Sequence, residues 1–222
     1  MHWHPIEPDQ LPRSPLATHA LDVWWWPEAI YPTLADRRQR TDAILRRLLA
    51  PYLALSPDAL CFGREQHGRP FLRHEHAPDF NLSDTAGGTA VVIAAHGRVG
   101  VDIERTDRAP LVQRLAERWF APEEARCLQA MAAEPARRAF LTLWTAKEAA
   151  CKATGTGIFG FLPVWRFGVD DDFLPPQLVS LPGDAGAPAR WRFHRLAPTP
   201  AHTLVVACRD LDARPRAFIV VK

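Results

Sequence analysis

The chain has 222 residues and contains very little lysine. Only three of its 27 basic residues are lysines, namely Lys147, Lys152 and Lys222, and all the others are arginines. The two internal lysines lie in one short segment, at positions where this chain would ordinarily carry arginine. Lysine is a compact ammonium ion on a flexible stem and arginine is a rigid planar fork, so a binding site can require one and reject the other. Lys147 and Lys152 are therefore candidate functional residues.

Long apolar runs and closely spaced cysteines are also missing. No run approaches the ~18 apolar residues of a membrane span, and the first ten residues lack the basic and then apolar pattern of a secretory signal. The four cysteines lie far apart, which is typical of reduced and buried thiols. A formal net charge of +2 is too small to attract nucleic acid or a membrane without specificity. We therefore expect a soluble, cytoplasmic protein in which any anion site is local.

Composition and patterning predict a mixed fold with a sizeable core. The chain is 47% hydrophobic and 23% charged, as in ordinary globular proteins. The first 16 residues carry four prolines and are expected to be irregular. Periodicity predicts helices over 33–52, 111–119, 123–131 and 136–153, and strands over 21–26, 59–63, 70–72, 89–95, 98–104, 164–169, 190–196, 203–207 and 217–221. We expect 89–95 and 98–104 to form an antiparallel hairpin, and the strands after residue 164 to be antiparallel.

Two carboxylates project from the same face of one predicted strand. In the segment Val99–Glu104, alternation directs Val101 and Ile103 to one face and Asp102 and Glu104 to the other. Like charges at this spacing repel each other, so the pair is either well solvated or neutralised by a cation. The pattern alone leaves both possibilities open.

A second acidic and basic group lies on the predicted helix 136–153. Glu148 and Lys152 are four residues apart and share a helix face, which would suit an ordinary surface ion pair. The scarcity of lysine argues against that interpretation. Three carboxylates, from Asp102, Glu104 and Glu148, form an all-oxygen ligand set of the kind that Mg²⁺ prefers. Lys147 and Lys152 would then face a phosphate group, and the whole set indicates phosphoryl-type chemistry.

Other motifs are less informative. The segment Gly155–Gly160 fits G-x-G-x-x-G, but it follows a predicted helix, whereas a dinucleotide-binding loop follows a strand. The H-x-H pairs at 2–4 and 74–76 have no further cluster at zinc spacing. Ser83 lacks the G-x-S-x-G context of many serine hydrolases.

Taken in order along the chain, several segments together resemble the Sfp-type 4′-phosphopantetheinyl transferases. The combination of G-V-D-I-E with W-x-x-K-E-A-x-x-K is highly specific, whereas G-R-P alone would be weak. The resemblance covers about residues 37 to 160. The matching segments are Gly68–Pro70, Phe80–Ser83, Val99–Glu104, Arg118–Phe120 with Glu123 and Glu124, and Trp144–Lys152.

This resemblance implies an α+β pseudo-dimer of two similar mixed halves with antiparallel sheets, residues 1–104 and 105–222, and an active site in the cleft between them. It implies Mg²⁺-dependent transfer of the phosphopantetheine arm of coenzyme A (CoA) to a serine of an apo acyl or peptidyl carrier protein. The second product would be adenosine 3′,5′-bisphosphate. A monomer without a nucleic-acid or membrane partner is expected.

The resemblance also implies roles for individual residues. Asp102, Glu104 and Glu148 would hold Mg²⁺ on the CoA diphosphate, while Lys147 and Lys152 would contact phosphates and Lys152 would act in catalysis. The proton of the acceptor serine would pass to Glu148, to Glu124 or to a metal-bound water. The remaining CoA contacts are expected from Arg37, Arg69, Ser83 and Asp84.

Two positions depart from the family pattern. Asp84 stands where the family usually has histidine, and a carboxylate beside the 3′-phosphate would repel it unless an arginine or a cation compensates. Arg69 replaces a lysine and keeps the positive charge, so its role is expected to survive.

Two other functions remain open: another Mg²⁺-dependent phosphotransferase or nucleotidyltransferase, and a catalytically decayed module that binds carrier proteins or nucleic acid.

Overall fold

The computed structural model describes residues 2–8, 10–11, 16–27, 33–108, 111–169 and 177–221. This part of the chain has an α+β fold with antiparallel sheets, as predicted. Its helices are α1 (Leu34–Leu49), α2 (Val112–Trp119), α3 (Pro122–Ala130) and α4 (Ala133–Thr154). Its strands are β1 (Trp3–Ile6), β2 (Leu21–Pro27), β3 (Phe62–Arg64), β4 (Pro70–Leu72), β5 (Asp79–Thr85), β6 (Gly88–Ala94), β7 (Arg98–Arg105), β8 (Arg166–Phe167), β9 (Leu178–Ser180), β10 (Trp191–Leu196), β11 (His202–Arg209) and β12 (Arg216–Val220).

The four predicted helices are confirmed to within a few residues, and local chemistry explains their ends. Thr33 caps α1, since its hydroxyl oxygen accepts a hydrogen bond from the Asp36 amide at 3.1 Å. Gly155 ends α4 in the left-handed conformation, with φ of 76°.

The strands form one five-stranded sheet, one three-stranded sheet and two short pairs. The five-stranded order is β1-β12-β2-β6-β5, and the three-stranded order is β10-β11-β7. Strand β12 lies between β1 and β2 and is parallel to both. The other pairings are antiparallel.

Three predictions about strands were wrong. The strands β6 and β7 do not form a hairpin, because β6 pairs with β2 and β5 while β7 pairs with β11. The last strand is parallel to its neighbours, and residues 3–6 of the expected irregular lead-in form a strand. Alternation reveals which side chains share a face and does not reveal which strand is the neighbour.

Strands cross the expected boundary between 1–104 and 105–222 in both directions. Strand β7 joins the sheet of β10 and β11, and β12 joins the sheet of β1 and β2. The pseudo-dimeric arrangement therefore stays a prediction.

Apolar side chains organise the molecule into layers. Strand β2 directs Val23 and Trp25 towards the three-stranded sheet, and Trp24 and Trp26 towards α1. On the far side of the three-stranded sheet, alternate residues of β11 pack on α4. The three consecutive tryptophans are buried at 1, 1 and 6% exposure, so the prediction of a buried strand there is confirmed.

The cysteines divide into two groups. Cys151 and Cys208 are buried, but Cys61 and Cys127 are exposed, so the expectation that all four are buried was wrong for two of them. Among the described helices, none has both the length and the apolar character that crossing a membrane requires.

Candidate active site

A close approach of β7 to α4 creates the site. The inward residues of β7, such as Val101 and Ile103, pack between the two sheets, so Gly100, Asp102 and Glu104 face α4. A Cβ atom on Gly100 would lie 2.0 Å from the Ala149 carbonyl oxygen. Only glycine permits this contact, and it brings the acidic face of the strand against Glu148 and Lys152.

Asp102 lies at the centre of a polar cluster that these elements form. Its Oδ1 atom accepts hydrogen bonds from Ser83 Oγ at 2.8 Å and from Lys152 Nζ at 2.6 Å. Lys152 Nζ also donates to Ser83 Oγ at 2.8 Å and lies 4.0 Å from Glu148 Oε2. The structure therefore brings together Ser83, Asp102, Glu148 and Lys152 from β5, β7 and α4.

Glu104 completes the acidic side of this cluster. Its carboxylate forms an ion pair with Arg108, which follows β7 in the chain. Burial and the negative charge of Asp102 raise the pKa of Glu104 above its ordinary value, although Arg108 opposes the effect.

Burial and like charges affect Glu148 more strongly. Burial, followed by the charge of Asp102, raises the pKa of Glu148 to about 7, while Lys152 acts in the opposite direction. A carboxylate that titrates near neutral pH can accept a proton during catalysis. The raised pKa values mean that the negative charges of Glu104 and Glu148 are unfavourable and that a cation would relieve them.

The acidic residues of this cluster are of the kind that binds hard divalent cations. All three acidic side chains offer oxygen ligands, and Asp102 Oδ2 is buried without a hydrogen-bond partner among the residues that the structure describes. Within the described ranges, however, no three acidic, histidine or cysteine side chains lie close enough together to ligate one ion. Lys152 supplies the positive charge beside Asp102 instead.

Lys147 and Glu124 lie elsewhere, inside the core of α3 and α4. The side chains are 0% and 3% exposed and form an ion pair of 2.8 Å between Nζ and Oε2. The ammonium group also donates to the carbonyl oxygens of Leu162 and Trp165, and Glu124 accepts from the Phe167 amide at 2.8 Å. The expected contact of Lys147 with a phosphate and the catalytic role of Glu124 are therefore not supported by their positions.

Lys147 is instead a structural residue. Burial lowers its pKa, and the Glu124 carboxylate opposes that shift. The scarcity of lysine singled out both internal positions, but it did not distinguish a buried ion pair from a site contact.

Arg69 is also buried, with 3% of its side chain exposed. Its Nε atom donates to the Lys152 carbonyl oxygen at 2.9 Å, and Nη2 donates to Asp79 Oδ2 at 2.7 Å. The guanidinium group thus holds the C-terminal end of α4. Among the described residues Nη1 has no hydrogen-bond partner, and Arg69 lines a small pocket together with Lys152, so the expected CoA contact stays a prediction.

Arg98, Asp79 and Glu65 support the same helix end, and sequence reasoning missed them. Arg98 Nε donates to the Ala153 carbonyl oxygen at 3.1 Å, while its terminal nitrogens bind Glu65 at 2.7 and 2.9 Å. Asp79 accepts a hydrogen bond from the Val99 amide at 2.8 Å. No local motif signals this network, because its members are brought together only by the fold.

Arg37 and Asp84, the residue after Ser83 on β5, both line a cleft of about 1150 Å³. Arg37 Nε forms an ion pair with Asp84 Oδ2, and Nη2 donates to the Asp84 carbonyl oxygen at 3.2 Å. The compensating arginine that the Asp84 substitution requires is therefore Arg37. The residues lining the cleft come from α1, the β3–β4 hairpin and β5, and include Arg37, Arg38, Asp42, Arg64, Arg73 and Asp84.

This cluster of carboxylates and a lysine beside an arginine-rich cleft lies within a fold of the α+β class. A family model described as the 4′-phosphopantetheinyl transferase superfamily matches residues 98–208, which is half of the chain. The chain belongs to this superfamily.

Individual relatives agree with this assignment. The 4′-phosphopantetheinyl transferase HetI of Nostoc sp. is 34% identical over 129 residues, covering 55% of this chain and 54% of the relative. The 4′-phosphopantetheinyl transferase Sfp of Bacillus subtilis is 28% identical over 136 residues, covering 61% of this chain and 58% of the relative. The chain spans about half the length of the first curated relatives that it matches.

A solved structure is also similar in part. It is the holo-[acyl-carrier-protein] synthase of Thermotoga maritima, with a TM-score of 0.37 and 22% identity, covering 52% of this chain and 64% of that one.

Proposed function

We propose that this protein transfers the 4′-phosphopantetheine group of CoA to a serine of an apo acyl or peptidyl carrier protein, with Mg²⁺ as the cofactor. The observation that carries the proposal is the meeting of Asp102, Glu148 and Lys152 between β7 and α4. These residues all lie within the segment that matches the family model. The other product would be the nucleotide part of the donor, adenosine 3′,5′-bisphosphate when CoA is used.

The carboxylates of Asp102, Glu104 and Glu148 would hold Mg²⁺ on the donor diphosphate. The ion would neutralise charge on the diphosphate and polarise the phosphorus that is attacked. Lys152 would turn from Asp102 towards the phosphate group and stabilise the charge that develops on the leaving nucleotide. Ser83, which binds both Asp102 and Lys152, would orient the two side chains.

Glu148 would also take the proton of the acceptor serine, directly or through a bound water. Burial makes its carboxylate a stronger proton acceptor than an exposed glutamate. Glu124 is buried against Lys147, so the proposed reaction does not use it. In this proposal the protein acts as a cytoplasmic monomer with no nucleic-acid or membrane partner.

The test is to incubate the purified protein with CoA, Mg²⁺ and a panel of apo carrier proteins, and to measure the mass of each carrier. A gain of one phosphopantetheine that requires Mg²⁺ supports the proposal. Turnover of ATP without use of CoA would identify a different phosphotransferase, and carrier binding without modification would identify a decayed module. The variant Glu148→Gln should abolish this mass gain. Its control is Glu123→Gln, which changes an exposed carboxylate on α3 and should leave the transfer intact.

A further inference from the structure

The acidic side chains of the candidate site already have positive neighbours within the chain. Lys152 Nζ binds Asp102 Oδ1 at 2.6 Å and lies 4.0 Å from Glu148 Oε2. Arg108 forms an ion pair with the third carboxylate, that of Glu104. A divalent cation that used these carboxylates would therefore meet two positively charged side chains that already bind them.

The main chain that carries Arg108 is anchored to α4. Arg137 Nη1 donates to the carbonyl oxygens of Thr106 and Arg108, the second at 3.3 Å. The Glu134 carboxylate in turn holds the Arg137 guanidinium with hydrogen bonds of 2.9 and 2.7 Å. These contacts hold the segment after β7 in place and keep the Arg108 side chain within reach of Glu104.

Glu104 lies where a nearby positive charge has a strong effect. Its side chain is only 16% exposed, and burial and the charge of Asp102 raise its pKa while Arg108 opposes that shift. Arg108 thus favours the ionised carboxylate, the form in which a carboxylate ligates a metal ion. It also places a second positive charge on that carboxylate, and two cations on one carboxylate repel each other.

The exposure of Arg108 determines how strongly it can compete. About half of this side chain is exposed, and solvent weakens an ion pair whose partners it reaches. Arg108 would therefore oppose a divalent cation at Glu104 without excluding it.

We propose that Arg108 is an internal counter-ion of Glu104 that competes with the divalent cation, and that it thereby raises the Mg²⁺ concentration that the site requires. This inference rests on the proposed function, because it concerns the same carboxylates. It predicts that removal of the guanidinium tightens the binding of the cation. A residue that only supports the fold would have the opposite effect or none.

The experiment measures the dissociation constant of Mn²⁺ at pH 8 by electron paramagnetic resonance, with Mg²⁺ as the competitor, because both ions take oxygen ligands. We expect Arg108→Gln to lower both constants about fivefold, equivalent to about 1 kcal/mol. The matched control is Arg105→Gln, which removes the same charge from a residue that is bound to Asp107. It should change the constants by less than about twofold, because an exposed and already paired charge acts weakly at a distance. Circular dichroism checks that each variant is folded.

A double variant distinguishes competition for Glu104 from a general effect of charge. In the Glu104→Gln background, Arg108→Gln should tighten cation binding much less than in the wild type, because the contested carboxylate is gone. An equal gain in both backgrounds, an equal gain from Arg105→Gln, or no gain in Arg108→Gln would overturn the inference.

Failure of the proposed function would give a different result. If no carrier protein gains phosphopantetheine while the dissociation constants follow the expected pattern, the proposed function fails and the inference stands. If neither Mn²⁺ nor Mg²⁺ binds to the wild type or to any variant, the inference and the metal assignment are both wrong.

Discussion

At the scale of single residues, the negative charge of Glu148 serves the proposed reaction but opposes the stability of the folded protein. Its pKa is raised from 4.5 to about 7, mainly by burial. Between these values the folded protein binds more protons than the unfolded chain, so the free energy of unfolding falls as the pH rises through this window. The charged side chain that the proposed reaction uses therefore destabilises the protein in the absence of a cation.

The variant Glu148→Gln tests this conflict. We expect it to abolish transfer, yet to raise the free energy of unfolding at pH 8 by on the order of 2 kcal/mol, because it removes an unfavourable charge. The measurement is thermal unfolding between pH 5 and 8, with and without Mg²⁺. Mg²⁺ should raise the melting temperature of the wild type and not of the variant. An active variant, or one that Mg²⁺ stabilises as well as the wild type, would contradict the metal assignment.

Lys152 gives a second test at this scale. Its ammonium group binds Ser83 and Asp102 at 2.8 and 2.6 Å, and a planar guanidinium does not reproduce this compact point charge. We predict that Lys152→Arg keeps the charge but lowers kcat by about 100-fold, the size of effect that follows the loss of one transition-state contact. Circular dichroism serves as the control for folding. Full activity would show that only the charge matters at this position.

At the scale of secondary-structure elements, the buried pair of Lys147 and Glu124 fixes α4 against α3. Lys147→Met would leave Glu124 charged and unpaired in the core. We therefore expect the free energy of unfolding to fall by about 3 to 5 kcal/mol, as when one partner of a buried ion pair is removed. The KM for CoA of the folded fraction should not change, because Lys147 Nζ is enclosed by the Glu124 carboxylate, two main-chain carbonyl oxygens and two aromatic rings. A specific rise in KM at unchanged stability would restore the phosphate role that the sequence suggested.

The approach of β7 to α4 makes a separate prediction. Gly100→Ala would place a methyl group 2.0 Å from the Ala149 carbonyl oxygen and 2.5 Å from the Ala153 amide nitrogen. The helix must move away, which we expect to destabilise the protein by about 1 to 3 kcal/mol and to separate Asp102 from Lys152. Activity should therefore fall further than the loss of folded protein explains. Wild-type activity in the folded variant would show that this spacing is not required.

The sequence predicted the secondary-structure elements, and the face on which the acidic residues of β7 lie, better than it predicted which elements pack together. Periodicity located the helices, and the alternation of Val101, Asp102 and Ile103 correctly placed the acidic face of β7. The ion pair of Arg37 with Asp84 and the burial of Arg69 could not be predicted, because their partners lie 47 residues away or on another element. Such contacts depend on the packing of whole sheets, which no local pattern records.

At the scale of the whole molecule, strands link the two parts of the chain. Strand β7 pairs with β11, and β12 lies between β1 and β2. We therefore expect a single cooperative unfolding transition, in which tryptophan fluorescence and far-ultraviolet circular dichroism coincide. Two separate transitions would indicate that residues 1–104 and 105–222 fold independently.

The position of β12 also has a consequence for biosynthesis. This strand is translated after every other described strand, yet it fills the gap between two of the earliest, β1 and β2. Until it emerges from the ribosome, β2 presents an open edge that can pair with another polypeptide. A premature stop before residue 216 should therefore yield a product that aggregates or is degraded, even though every residue of the candidate active site has already been made.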